Sequence, residues 1–363
     1  MTTRLLDPSL QPDAIERAAQ RLADGGLLAL PTETVYGLGA RADDDAAVAR
    51  IFAAKGRPAD HPLIVHVPNE AAALFFVSAF PPVAQRLVRA FWPGPLTVIV
   101  PRHPDMARAA AGGQDTIGLR CPDHPVARQL LDACAERNIL GVAAPSANRF
   151  GRISPTRASH VVEEFEGQGQ HLDGHDDPDA LDAVWVLDGG PCDVGIESTI
   201  VDCSRGQPVL LRPGRLTMAE LEAAAGEPLL WSKPEAPDPN APKASGTLLS
   251  HYAPRARVVL MSDAQLADGL KVLEPELTAQ HLATPGAAPR VAVYSRSLWA
   301  HHPRHPGVVH LSMPGDAVTA AHDLFADLRE MDATGVAQIW VETPPEGPAW
   351  DGVRDRLSRA AAA

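Results

Sequence analysis

The chain has almost no lysine. Lys55, Lys233, Lys243 and Lys271 are the only four in 363 residues, and the other 28 of its 32 basic residues are arginines. Cysteine is just as sparse, and Cys121, Cys134, Cys192 and Cys203 lack CxxC spacing, which argues against a zinc site or a disulfide framework. No apolar run reaches the ~18 residues that a membrane helix needs; the longest candidate, Ala71 to Phe80, stops at Pro81-Pro82. The first residues, MTTRLLDPSLQPD, contain no apolar core of the signal-peptide kind, so a cytoplasmic protein without membrane attachment is expected. Net charge is −13, which speaks against a broad surface for coating nucleic acid. Any phosphate contact must be local. The motifs GxxxxGK(S/T), GxGxxG, HExxH and GxSxG are all absent, so a nucleotide site here would be of a less common kind.

The residues present bound the architecture. The apolar fraction is 45%, ordinary for a globular protein, and the length suits two domains with a core each. Up to about residue 215, helix and strand patterns alternate. Pro12 to Asp24 reads as an amphipathic helix stopped by Gly25-Gly26, and Asp43 to Ala54 as a helix with an acidic first turn. Leu27 to Leu30, Leu63 to Val67, Leu96 to Val100, Thr116 to Arg120 and Leu140 to Ala143 read as strands. So do Ala183 to Leu187, Ser198 to Asp202 and Val209 to Arg212. Late strands with few helices between them predict a mixed sheet. Glu227 to Gly246 holds five prolines and little periodicity, the mark of a semi-rigid extended linker. Beyond it, strands at Arg257 to Met261, Val291 to Tyr294, Val308 to Leu311 and Gln338 to Glu342 alternate with helices at Asp263 to His281 and Ala317 to Asp332. That pattern predicts a smaller domain on a largely parallel sheet.

Five stretches could carry chemistry. Pro31 to Gly39, PTETVYGLG, follows a buried strand and supplies two hydroxyls, an acid and a phenol; a capped turn is the plain alternative. Lys55 and Arg57 flank a glycine after a helix. Such a pair can hold phosphate, Lys as a point charge and Arg as a fork, or can merely cap the helix dipole. The rarity of lysine favours a specific role for Lys55. Ala144 to Asn148, APSAN, leads through Arg149 to Pro155, with Ser154 a possible N-cap and anion site. Gly195 to Asp202 and Leu211 to Gly214 place hydroxyls and a loop arginine beside strands. The histidines at 301, 302, 305 and 310 have no carboxylate among them and read as a loop rather than a metal site, and the acidic run Asp173 to Asp182 reads as a solvated loop.

Taken in order, PTETVYGLG, KGRPxxxPLIVH, APSANRFGRISPT, GIESTIVD and LRPG make the chain resemble the YrdC-type threonylcarbamoyl-AMP synthases. The match is to the long form, which adds a proline-rich linker ending in HYAP, here His251 to Pro254, and a C-terminal domain. The resemblance implies an α/β fold: a YrdC-like twisted open mixed sheet with helices over residues 12–215, a linker or lid over 216–254, and a smaller Rossmann-like domain over 255–363. Two departures from the family pattern stand out, Ala-Ser-Gly-Thr ahead of HYAP and Glu-Gly-Pro-Ala-Trp ahead of the C-terminal tail.

The implied activity is a nucleotidyl transfer. L-threonine, bicarbonate and ATP give threonylcarbamoyl-AMP and pyrophosphate, with Mg2+ accompanying the ATP. The product passes to a separate transferase that forms threonylcarbamoyl adenosine in tRNA, and no stable nucleic-acid binding is expected of the chain itself. By resemblance, Thr34, His66, Arg120, Ala144 and Ser198 hold threonine. Arg57, His61, Thr116, Ser146, Ser154, Arg212 and Tyr252 hold the nucleotide, Asn148 belongs to the same motif, and Lys55 and Arg57 serve the phosphates catalytically. An RNA-binding or regulatory module using the same basic cleft is the alternative.

Overall fold

A computed structural model describes residues 4–166, 177, 179–232, 241–283, 289–300, 302–305 and 307–363. The chain divides into two compact units: residues 1–150 with 154–247, and residues 151–153 with 248–363.

The first unit is built on eleven strands: β1 (Arg4–Leu6), β2 (Leu27–Leu30), β3 (Gly37–Arg41), β4 (Ile64–His66), β5 (Leu96–Pro101), β6 (Thr116–Arg120), β7 (Val142–Ala143), β8 (Val184–Leu187), β9 (Thr199–Asp202), β10 (Val209–Arg212) and β11 (Leu230–Trp231). Their order is β1-β8-β2-β3-β7-β4-β6-β5-β9-β10-β11. The sheet is mixed: β4 runs parallel to β6, β5 antiparallel to β6 and parallel to β9, and β9 antiparallel to β10.

Alternation along the strands gives the central sheet two different faces. Val65, Val98, Val100, Ile117, Leu119 and Val201 point into the main core, which the helices Asp45–Lys55 and Pro82–Phe91 help to fill. Ile64, Ile99 and Ile200 lie on the opposite face in a smaller cluster with Val209 and Leu211. Thr97, Thr116 and Gly118 line a cleft over that second face, and Ala244 and Ser245 line its other side. The core therefore takes one side of the sheet and leaves the other for a site.

Most strands fall where the sequence places them, with three differences of substance. β1 and β3 are not anticipated; β1 is only three residues long, and β3 is glycine-rich and hidden inside the PTETVYGLG stretch. The helix that follows the APSAN loop spans Ala158–Phe165 with Arg157 as its N-cap, so Ser154, expected as the cap, is not one. Within 216–254, Met218–Ala225 is a helix closed by a Thr217–Glu220 capping box, and β11 adds an edge strand. The linker prolines Pro234, Pro237 and Pro239 and half of the acidic run, residues 173–176 and 178, lie outside the described residues.

The second unit carries β12 (Arg257–Met261), β13 (Val291–Ser295), β14 (Val308–Ser312) and β15 (Gln338–Glu342), all parallel, in the order β12-β15-β13-β14. Leu266, Leu270, Val291, Val293 and Trp340 form its core beneath the helix Asp263–Ala283. Among the described residues no helix is long and apolar enough to cross a membrane.

Candidate active site

The site is assembled by zipping two loops together. Leu38 N–H donates to the Pro145 carbonyl at 2.8 Å and Ala147 N–H to the Tyr36 carbonyl at 2.8 Å, so the PTETVYGLG turn and the APSAN turn share one backbone ladder. Tyr36 is fully buried, and its hydroxyl donates to the Gly190 carbonyl at 2.7 Å. Burial pushes its phenol well above the ordinary value, so it stays protonated and acts as a brace.

Lys55 closes the helix Asp45–Lys55, and Gly56 follows as a left-handed C-cap at φ 63°. The ammonium does not cap that helix. It donates to the Ser146 carbonyl at 2.7 Å and to the Asn148 carbonyl, tying the cationic loop to APSAN. The side chain is buried, and desolvation, seconded by Arg57, holds its pKa well below the usual lysine range. Arg57 donates through Nη2 to the Pro62 carbonyl at 3.0 Å and lies 5.7 Å from the Phe150 ring. His61 meets the same ring edge-on at 5.5 Å, and burial and Arg57 lower its pKa. Lys55, Arg57, His61, Ser146 and Asn148 thus converge.

A second group forms across β4, β6 and the first loop. The parallel register sets His66 beside Arg120. Arg120 donates from Nη1 to Thr34 Oγ1 at 2.7 Å, and its Nη2 lies 2.7 Å from Glu33 Oε1. His66 is buried, and desolvation with Arg120 nearby drops its pKa to about 3, so the ring is neutral at ordinary pH. Its Nδ1 has no hydrogen-bond partner among the described residues. Ala144 N–H donates to the Ile64 carbonyl at 2.9 Å, which sets the start of APSAN beside β4.

Ser198 forms a third group with Thr97 and Arg212. Its hydroxyl lies 2.8 Å from Thr97 Oγ1 and accepts from Arg212 Nη2 at 3.1 Å. Arg212 reaches it through a register shift between Leu210 and Arg212, a bulge that turns both Leu211 and Arg212 toward the cleft face. Arg212 Nη1 also donates to the Ser245 carbonyl at 2.8 Å, and Lys243 pairs with Asp60 at 2.6 Å. The last described stretch of the linker therefore crosses the cleft. Ser154 is buried and donates to a carboxylate oxygen of Glu197.

Tyr252 falls in the second unit. It is 1% exposed, adopts φ 64°, and its ring lies 4.1 Å from His251, 5.5 Å from Phe325 and 5.4 Å from the Arg356 guanidinium.

Sequence reading leaves Glu33, Glu197 and Ser245 without roles. Glu33 stands between two threonines in PTET and Glu197 in GIEST, so both motifs are visible, but their partners are distant in the chain. Among the described residues no three His, Cys, Asp or Glu side chains converge as metal ligands. His301 lies outside the described residues, and His305 and His310 bond to each other.

The fold and the site together define an α/β protein whose mixed sheet carries on one face a cleft lined in part by Thr97, Thr116 and Ser245. The family follows from comparison. A Sua5/YciO/YrdC model described as "Telomere recombination" matches residues 20–214, and one described as "Threonylcarbamoyl-AMP synthase, C-terminal domain" matches residues 216–362. The threonylcarbamoyl-AMP synthase of Pyrococcus abyssi is 38% identical over 95% of this chain and 93% of its own. That of Bacillus subtilis is 33% identical over 96% and 92%. The crystal structure of P. abyssi Sua5 complexed with L-threonine matches with a TM-score of 0.83, 33% identity, and 99% and 98% coverage of the two chains. The chain belongs to the Sua5/YciO/YrdC family.

Proposed function

We propose that this chain is a threonylcarbamoyl-AMP synthase, converting L-threonine, bicarbonate and ATP to threonylcarbamoyl-AMP and pyrophosphate. The observation that carries the reading is the buried Arg120–Thr34–His66 group together with the cluster of Lys55, Arg57 and Ser146, which the APSAN turn ties to β4 through the Ala144–Ile64 hydrogen bond. One offers a fork for an amino-acid carboxylate, and the other offers cations and hydroxyls for a triphosphate. The names of the P. abyssi and B. subtilis relatives support the same reading.

The chemistry asks the protein mainly to position charges. The threonine amine combines with bicarbonate to form a carbamate and lose water. A carbamate oxygen then attacks the α-phosphorus, and pyrophosphate leaves from the opposite side. Arg120, Thr34, His66, Ala144 and Ser198 hold threonine; Arg57, His61, Thr116, Ser146, Ser154 and Arg212 hold the nucleotide. Tyr252 joins the nucleotide set on the resemblance alone. Two of the three Lys55 donors fix the carbonyls of the APSAN turn, and the third serves the phosphates. Arg57 spreads its charge beside them as negative charge develops on the leaving group. Mg2+ would accompany the triphosphate and would neutralise charge on it as pyrophosphate leaves. The linker end that bonds Arg57 and Arg212 acts as a lid keeping water from the acyl-adenylate.

The proposal places the reaction in the cytoplasm, where the four free, buried cysteines stay reduced. A separate transferase takes the product to tRNA. Nothing observed favours the RNA-binding or regulatory alternative. The test is pyrophosphate release from ATP and bicarbonate, with and without L-threonine. Release that requires threonine is expected; equal release in its absence overturns the reading.

A further inference from the structure

We propose that Glu33 is a positioning residue that fixes the Arg120 guanidinium for the carboxylate of the amino-acid substrate; this rests on the threonine reading above. Arg120 is anchored at all three nitrogens. Nε donates to the Gly94 carbonyl at 3.4 Å, Nη1 to Thr34 Oγ1 at 2.7 Å, and Nη2 pairs with Glu33 Oε1 at 2.7 Å. A guanidinium is planar and carries five donors in a rigid fork, so three anchors, two from the adjacent Glu33 and Thr34 and one from Gly94, fix its plane and its rotation. The Nη2–Oε1 contact lies off the hydrogen-bonding direction, since neither atom completes a directed hydrogen bond. An Nη2 donor is thereby left for a ligand oxygen.

Glu33 is itself held. Its Oε2 accepts from Asp123 N–H at 3.0 Å, just before the helix Pro125–Ala135, and its backbone carbonyl accepts from Val194 N–H at 2.7 Å. The two side chains of the pair are 4% and 7% exposed, so each would be a costly buried charge without the other. With His66 neutral, the pair leaves the pocket without net charge, and a zwitterion enters it without net charge. Removing Glu33 leaves Arg120 buried, unbalanced and free to rotate, which harms recognition of the carboxylate more than recognition of the nucleotide.

The experiment is calorimetric titration of L-threonine and of ATP into wild type, Glu33→Gln, Arg120→Lys and the double variant, with steady-state kinetics alongside. Loss of the opposite charge that pairs with a buried guanidinium predicts threonine affinity about 10- to 100-fold weaker in Glu33→Gln. ATP affinity stays within about twofold and kcat at saturating threonine within about threefold, as expected when only ground-state substrate binding is lost. Because Glu33 acts through Arg120, the double variant binds threonine no more weakly than Arg120→Lys alone. Unchanged threonine affinity, equal loss for both ligands, or additive losses in the double variant overturns the proposal. If Glu33→Gln fails to fold, Glu33→Asp, which keeps the charge but shortens its reach, is expected to give a smaller loss with the same coupling; wild-type affinity in that variant overturns the proposal as well. Wild-type pyrophosphate release that ignores threonine would instead defeat the synthase reading, so the two failures are distinct.

Discussion

Lys55 shows how far a single residue can be read. Its rarity in an arginine-rich chain marks it out by composition alone, and its placement after a helix suggests either phosphate binding or a cap. Chain order does not disclose that its ammonium is buried against the Ser146 and Asn148 carbonyls, because those partners lie 91 and 93 residues away. That burial adds a stability role to the proposed catalytic one. Lys55→Ala should leave two carbonyls without their donor, at about 1–3 kcal/mol, and lower both the melting temperature and the rate. Arg57→Ala should lose about 10²–10³ in kcat, the usual cost of one donor to developing charge, with a smaller thermal shift. Stopped-flow pyrophosphate release and thermal melts separate the two. Equal thermal losses in both variants would remove the distinction.

His66 yields a pH prediction at the same scale. Its ordinary pKa of 6.5 falls to about 3 in the fold, through burial first and Arg120 second. Between those values the unfolded chain binds the proton and the folded chain does not, so this residue's contribution is intact above about 6.5 and is lost as pH falls toward about 3. Thermal melts of His66→Asn between pH 4 and 7 should depend less steeply on pH than those of wild type. Threonine binding should show no step near 6.5 from this ring. An identical melting slope in the variant would mean that His66 is solvated rather than buried.

Elements are legible where periodicity is strong and blurred where geometry is special. β5, β6, β10, β12 and β15 begin and end within a residue of where alternation and apolar runs set them. β3 is hidden because GLGAR has little side chain to alternate, and the true start of the helix at Ala158 is obscured by a plausible Ser-Pro cap. The β10 bulge is invisible in sequence, yet it delivers Arg212 to Ser198. Gly214, two residues on, is the tightest point of this turn: a Cβ there would stand 2.6 Å from Thr199 N and 2.7 Å from Thr199 Oγ1. Backbone cannot yield cheaply, so Gly214→Ala should cost about 1–3 kcal/mol, the range for overpacking, and should shift Arg212 away from Ser198. Denaturant melts and ATP titration check both effects. Wild-type values in both would show that the turn has slack.

For the whole molecule, the proline-rich stretch reads as a linker, yet the compact first unit extends to Thr247 and takes in residues 227–232 and 241–246 of it. The difference has a physical cause. After the helix Met218–Ala225 the chain adds β11 to the edge of the sheet, and then Ala241 and Ala244 pack on the apolar cluster around Ile64, Ile99 and Ile200. Lys243 binds Gln114 through backbone and Asp60 through its ammonium, while Ser245 takes hydrogen bonds from Arg212 and Arg57. Two truncations therefore have different fates. A chain ending at Thr247 keeps both apolar faces of the large sheet covered and should fold cooperatively, with threonine binding at its full-length strength and ATP binding lowered only by the loss of Tyr252. A chain ending at Gly226 keeps the main core but strips the cover from Ile64, Ile99 and Ile200 and leaves Arg212 and Arg57 without Ser245. It should fold less stably, bind ATP much more weakly than threonine, and release AMP by hydrolysis of the acyl-adenylate. Calorimetry of the two ligands and chromatographic detection of AMP decide the matter. If the shorter chain binds ATP as tightly as the longer one and leaks no AMP, residues 227–247 are a tether and the lid must be sought elsewhere.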